Sequence, residues 1–161
     1  MRTNYNNLKR CILLLIFIGS ISVSCGEDVS QNCEGDTAQP IETFYEPEFE
    51  EVNCILQNTD PNEKEVHLII KNQEGYETYF SCIEGLPAID FDEYFILAGV
   101  YGHHQCAVFD NQSVVLCENR LIYRVRLQEK DCFALTDIHY FTVLSKGHEN
   151  SKIKFDIQLI K

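Results

Sequence analysis

A chain of 161 residues with 25 acidic and 13 basic side chains has a formal charge of −12, which argues against nucleic acid as its partner, since phosphates attract Lys and Arg. Hydrophobic residues make up 45% of the sequence, with ten Phe, eight Tyr and no Trp, so a packed core built on aromatic volume is expected rather than disorder. The length suits one domain with its own core and is short for two.

Arg2, Lys9 and Arg10 precede an apolar run over residues 11–21, and Ser20, Ser22 and Ser24 lead into Cys25. Charged, apolar and small residues in that order make an export signal. Gly19 and the three serines interrupt the run short of the roughly 20 apolar residues that a spanning helix needs, so a permanent span is disfavoured. Ser22-Val23-Ser24-Cys25 resembles a bacterial lipobox. The resemblance implies that residues 1–24 are a lipoprotein signal peptide and that Cys25 becomes the acylated N-terminus, with diacylglyceryl on its thiol and a further acyl chain, such as palmitate, on its amine. Each buried acyl methylene contributes about 0.8 kcal/mol, so two or three chains hold the protein to its bilayer. The alternative is an ordinary secretory cut near Ser24 that leaves Cys25 a plain disulfide cysteine. Parity separates the two. Of eight cysteines, Cys11 leaves with the signal, and lipid on Cys25 leaves Cys33, Cys54, Cys82, Cys106, Cys117 and Cys132, an even set that can pair fully in an oxidising compartment.

The signal carries three of the basic residues and none of the acidic ones, so the remaining 137 residues have a charge of −15. Nine acids and no base fall within residues 26–51. Self-repulsion extends such a segment, and residues 25–48 are expected to be a flexible acidic tether, followed by a single globular domain over residues 49–161. Glu27-Asp28 after Cys25-Gly26 resembles the acidic signals that carry some Gram-negative lipoproteins to the outer face of the outer membrane. Lipid anchoring in the outer membrane is expected, with the cell surface favoured over the periplasmic face.

From residue 49 the apolar pattern shortens. Residues 51–56 predict a first strand, closed by the turn-forming run at 58–62. Val66, Leu68 and Ile70 fall on one face of a strand over 65–71. Asn72 fits a helix N-cap with Glu74 in the first turn, and Tyr76, Tyr79, Phe80 and Ile83 follow at helical spacing, so one short helix is predicted near 73–83, ended by Gly85-Leu86-Pro87. Strands are predicted over 93–100, 106–109 and 114–117, the last two as a hairpin around Asp110-Asn111-Gln112-Ser113. Leu121, Tyr123, Val125 and Leu127 alternate with Arg120, Ile122, Arg124 and Arg126, which makes 120–127 a half-buried strand. Strands over 136–145 and 152–160 follow, joined by residues 146–151. The expected class is α+β and β-dominated, an antiparallel curled or sandwich-like sheet with the helix covering part of it.

The order from Ile69 through Phe80, and then Ile89-Asp90-Phe91-Asp92-Glu93-Tyr94-Phe95-Ile96-Leu97-Ala98-Gly99, is similar to that of the PrcB-like protease-complex-subunit family. The resemblance covers roughly residues 65–160. It implies a small exported lipoprotein of α+β fold whose founding type binds and stabilises a surface protease. Gly102-His103-His104-Gln105 stands where the family commonly carries a Thr-Gly-Gly-Tyr-like loop, an exchange that leaves a core intact and rewrites a contact surface.

Six cysteines allow 15 connectivities, and each disulfide contributes about 2–4 kcal/mol. A two-residue hairpin centred on Asn111-Gln112 sets Cys106 opposite Cys117, which makes Cys106–Cys117 the expected cystine. His103-His104-x-Cys106, with His139 as a distant third nitrogen, is the arrangement nearest to a metal site, although adjacent histidines rarely aim at one ion; no metal and no cofactor are expected. Arg120, Arg124 and Arg126 share a strand face, either as a solvated surface or, together with Tyr101, as a partner surface. No Gly-x-Ser-x-Gly elbow, phosphate loop or His-Glu-x-x-His pattern is present, so catalysis is not expected. The sequence therefore points to a membrane-anchored, non-catalytic lipoprotein that binds another exported protein and stabilises or inhibits a protease. The alternative is a ligand- or metal-binding lipoprotein using the His103-His104 loop.

Overall fold

The computed structural model describes residues 39–43, 54–83, 85–118 and 120–161; the signal segment, Cys25, Cys33 and the greater part of the tether lie outside the described residues. The strands are β1 Gln39–Pro40, β2 Cys54–Leu56, β3 Glu65–Ile70, β4 Phe80–Cys82, β5 Tyr94–His103, β6 Ala107–Cys117, β7 Arg120–Glu129, β8 Thr136–Ser145 and β9 Lys152–Ile160. One α-helix, α1, spans Gln73–Tyr79, and a 3-10 turn, Lys146–His148, links β8 to β9. The strands form sheets ordered β1-β6-β7-β9, β3-β5-β8 and β2-β4. This is the β-dominated architecture with one short helix that the apolar pattern predicts.

Strand β5 explains the layering. Phe95 and Leu97 point into a core shared with Leu121, Tyr123, Val125 and Leu127 of β7 and Ile138, Tyr140 and Leu144 of β8. Ile96, Ala98 and Val100 point the other way, into a second core with Leu56, Ile70, Tyr76, Phe80 and Val143. A strand covered on both faces reads as a continuous apolar run rather than an alternation. Here α1 and the β2-β4 pair cover one side and the four-stranded sheet covers the other. Each large apolar side chain buried in this way contributes about 1.5–3 kcal/mol.

Helix α1 begins as expected: the Asn72 side chain accepts a hydrogen bond from the Gly75 amide at 2.8 Å. It stops at Tyr79, four residues before the helical spacing ends. Phe80 is extended, and Phe80–Cys82 pairs antiparallel with β2, setting Cys54 opposite Cys82 in a disulfide with a Cα–Cα distance of 4.1 Å. Pairing and cross-link override the local helical spacing, and Ile83 is left 81% exposed.

The hairpin expected around residues 110–113 does not form. Ala107–Cys117 is one strand with a register shift between Phe109 and Asn111, and the chain reverses after it, at Glu118, which takes a positive φ of 56°. Cys106 and Cys117 therefore flank an extended strand and, at about 3.3 Å per residue, stand too far apart to bond. The Cys106–Cys117 pairing is wrong: Cys106 is joined to Cys132, with Cα atoms 5.4 Å apart, because β7 returns alongside β6 and the Lys130 amide donates to the Cys106 carbonyl at 2.7 Å. Cys117 is also disulfide-bonded.

Two further departures concern the ends of the domain. Gln39 and Pro40 pair with Leu116 and Val115, the Ile41 amide donates to the Val114 carbonyl at 2.9 Å, and Ile41 packs on the core. Part of the stretch assigned to the tether thus belongs to the domain; Pro40, which has no N–H to donate, is tolerated because β1 is an edge strand. Strand β9 pairs with β7 in parallel, the one parallel ladder among the described strands.

At the centre of β5, Gly99 lies under the ring of Tyr140, its partner on β8, and a Cβ there would stand against the Tyr140 hydroxyl and the Val66 carbonyl. The buried Tyr140 hydroxyl has no hydrogen-bond partner among the described residues, and burial, with a smaller contribution from Glu65, holds its pKa far above the ordinary tyrosine value. Gly99→Ala is expected to destabilise the domain by about 1–3 kcal/mol in urea unfolding. Tyr140→Phe, which removes an unsatisfied buried hydroxyl, is expected to be neutral or stabilising in the same measurement.

Strand β2 is tied to β8 by the Leu56 amide, which donates to His139 Nδ1 at 3.1 Å. The acceptor must be the neutral ring, and burial lowers the His139 pKa from its ordinary value, opposed in part by Asp137. The unfolded chain then binds the proton more readily than the folded one. Stability is expected to be full above about pH 6.5, to fall as the pH drops below it, and to level off below the folded-state value. His139→Asn, whose carbonyl can replace Nδ1 as acceptor, is expected to flatten this dependence in unfolding curves between pH 5 and 7.5.

Candidate functional site

The alternation read in β7 decides which side chains face solvent. Leu121, Tyr123, Val125 and Leu127 are fully buried, so Arg120, Ile122, Arg124 and Arg126 lie on the outward face of the four-stranded sheet. The parallel ladder sets Lys152 beside Arg120, Lys154 beside Ile122, Asp156 beside Arg124 and Gln158 beside Arg126. Residues directly paired across a ladder point to the same face, about 4.8 Å apart.

Five of the thirteen basic residues of the chain are thereby collected on one outward face, against the single acid Asp156 contributed by the same two strands. The Arg124 Nε to Asp156 Oδ2 distance is 3.5 Å, with both side chains partly exposed, so the pair contributes about 0–1 kcal/mol and orients Arg124 more than it stabilises the fold. Arg120, Arg126, Lys152 and Lys154 are exposed. Ile122 and Cys117, both buried, and half-buried Val115 form a small apolar cluster on the same face. A cationic face on a protein of charge −12 gives that face a local potential opposite in sign to the molecule as a whole.

Tyr101 does not join the arginines. It lies in β5, packs partly buried against the inner core, and has Lys64 Nζ 5.1 Å from its ring centroid. Gly102 and His103 also belong to β5 and not to a loop. His103 is 5% exposed, with Nε2 3.5 Å from Glu129 Oε1 and Nδ1 lacking a hydrogen-bond partner among the described residues. His104 is exposed, its ring 4.5 Å from that of His103 at an interplanar angle of 50°. With Cys106 in a disulfide, its thiolate is not available as a ligand, and His139 is engaged with Leu56. Among the described residues no three or more His, Cys, Asp and Glu side chains converge as a metal site.

The Cys54–Cys82 and Cys106–Cys132 disulfides sit where apolar side chains reach solvent. Ile55 and Ile83 adjoin Cys54–Cys82, and Phe133 and Leu135 adjoin Cys132, bonded to Cys106. Lys152 and Lys154 are absent from the sequence reading because alternation assigns them a face without saying which strand lies next to β9. Phe133 and Leu135 are visible in the sequence only as apolar residues in a short link, a weak signal.

Compared with protein-family models, curated proteins and solved structures, the chain matches none of them.

The cystines close segments of similar length, with separations of 28 and 26 residues. By chain entropy each is expected to contribute about 3–4 kcal/mol. Cys54→Ser with Cys82→Ser, and Cys106→Ser with Cys132→Ser, should therefore lower stability by similar amounts in denaturant titrations.

Proposed function

We propose that this protein is an exported lipoprotein, anchored in the outer membrane through acylated Cys25, whose β-rich domain is a non-catalytic module that binds another exported protein. The observation that carries the binding reading is the row Arg120, Arg124, Arg126, Lys152 and Lys154 on one outward sheet face of an otherwise acidic chain. Cations on an exposed strand also keep other strands from pairing with a sheet edge, and Lys152 and Lys154 on β9 can serve that end. The arginines of β7 cannot, since β7 is an interior strand with β6 and β9 on either side. A partner with an acidic surface matches the charge of this face and is steered to it. A protease, stabilised or inhibited by the contact, is the partner class that the resemblance to the PrcB-like family implies.

Cysteine pairing supports export and bears on the anchor. Four cysteines pair among themselves and Cys117, a fifth, is disulfide-bonded; the sequence offers Cys11, Cys25 and Cys33 as the sixth. Strand β1 brings residues 39–40 alongside Leu116 and Val115, directly next to Cys117, and Cys33 is the candidate nearest in sequence to that strand. A Cys33–Cys117 bond leaves Cys25 free for lipid.

Mass spectrometry of the purified protein is expected to show a first residue at Cys25 carrying acyl mass, and a cystine peptide joining Cys33 to Cys117. A chain starting at Met1, or Cys25 in a disulfide, refutes the anchor. For the binding reading, the full-length protein isolated from detergent-solubilised membranes is expected to retain one protein stoichiometrically. The Arg120→Glu/Arg126→Glu variant should lose it, more markedly at low salt than at high. No retained protein with the wild type refutes the binding reading.

A further inference from the structure

We infer that the link between β7 and β8, residues 130–135, is a hydrophobic anchor that inserts Phe133 and Leu135 into an apolar pocket of the protein partner, a pocket with a basic rim. The inference rests on the protein-binding reading above and assigns it a second, separate contact.

Phe133 is 94% exposed and Leu135 86% exposed, the two most exposed large apolar side chains among the described residues. Single exposed apolar residues are common, but two large ones at alternate positions of a six-residue link form a contiguous projection of the kind that marks interaction sites. The link is held in place. Cys132 is bonded to Cys106; the Lys130 amide donates to the Cys106 carbonyl at 2.7 Å, the Cys106 amide to the Cys132 carbonyl at 3.4 Å, and the Cys132 amide to the Lys130 carbonyl at 2.9 Å. These ties hold the link at Lys130 and Cys132, at the root of the tip; a tip tethered at its root loses less conformational freedom on docking, and most of the affinity of an interface comes from a few side chains seated in pockets.

Charge and area select the occupant. Glu129, Asp131 and Asp137 flank the tip, against Lys130 alone, on a chain of net charge −12. Pressing the tip into an anionic bilayer would drive those carboxylates against headgroups, and pairing two copies would set them against each other. A stable interface buries about 800 Å² on each partner, more than two side chains supply, so the tip is one anchor within a broader contact and not a dimer seam. A foreign protein whose pocket is apolar inside and basic at the lip satisfies both the side chains and their acidic neighbours.

The test uses the full-length lipoprotein in the membranes of the cells that produce it. With p-benzoylphenylalanine in place of Phe133, irradiation is expected to give one covalent adduct with a second protein, identified by mass spectrometry. The same photoreactive residue in place of Thr78, exposed on α1, should give none. Binding of that second protein, once purified, to the detergent-solubilised full chain is then expected to weaken by about tenfold or more with Phe133→Asp and with Leu135→Asp. It should be unchanged with Ile83→Asp, a comparably exposed aliphatic position outside the link. An adduct with lipid or with a second copy of this chain, no adduct, or binding that survives Phe133→Asp overturns the inference. Binding that survives Phe133→Asp but is lost in Arg120→Glu/Arg126→Glu removes the anchor and leaves the protein-binding reading standing; absence of any bound protein removes both.

Discussion

The double covering of β5 is the constraint from which the rest of the architecture follows. A strand whose six residues from Phe95 to Val100 are all buried cannot sit at a surface, so the chain must supply a layer on each side. The four-stranded sheet supplies one and α1 with the β2-β4 pair supplies the other. Gly99 belongs to the same requirement. With no side chain of its own, it lets the Tyr140 ring lie across the strand where a larger residue would push β8 away.

Once β7 commits Leu121, Tyr123, Val125 and Leu127 to the inner core, its arginines have one direction left. Surface chemistry is thus fixed by core chemistry through a period of two. The neighbour on the far side of β7 decides what those arginines stand beside, and the parallel ladder with β9 answers with Lys152, Asp156 and Gln158, and with Lys154 beside Ile122. The cystines act at a different level. Cys54–Cys82 cross-links the paired strands β2 and β4, Cys106–Cys132 ties the start of β6 to the link after β7, and each has exposed apolar side chains at its border.

What could be read in the sequence divides along the range of the interactions. The alternation in β7, the N-cap at Asn72 and the strands over 136–145 and 152–160 are legible because they depend on residues within a few positions of one another. The Asp110-Asn111-Gln112-Ser113 run is rich in turn-forming residues, yet it stays extended because Gln112 reaches across both to the Tyr123 hydroxyl and, at 2.9 Å, to the Phe141 carbonyl, contacts that no local pattern contains. The wrong pairing for Cys106 follows from that misplaced turn. The early end of α1 has a similar origin, since Phe80 finds a strand partner 24 residues upstream, at Leu56. Of the candidate surface, the arginines were legible and the lysines beside them were not, because strand order in a sheet is a property of the whole chain. Tyr101 and His103 were misjudged as surface residues since β5 runs further than its apolar stretch.

The parallel ladder between β7 and β9 also sets an order of assembly. Strands β6 and β7 meet through a reversal of two residues and can zip as soon as both exist, but the far edge of β7 finds its partner only after β8 and the turn at 146–148 have been traversed. A chain that emerges amino end first therefore presents β7 with an open flank for a period set by the rate of emergence. Non-local closure of this sort is slow, and a bare strand edge invites pairing with other chains. The interval between the emergence of Glu129 and that of Ile160 is when this domain is most in need of a chaperone.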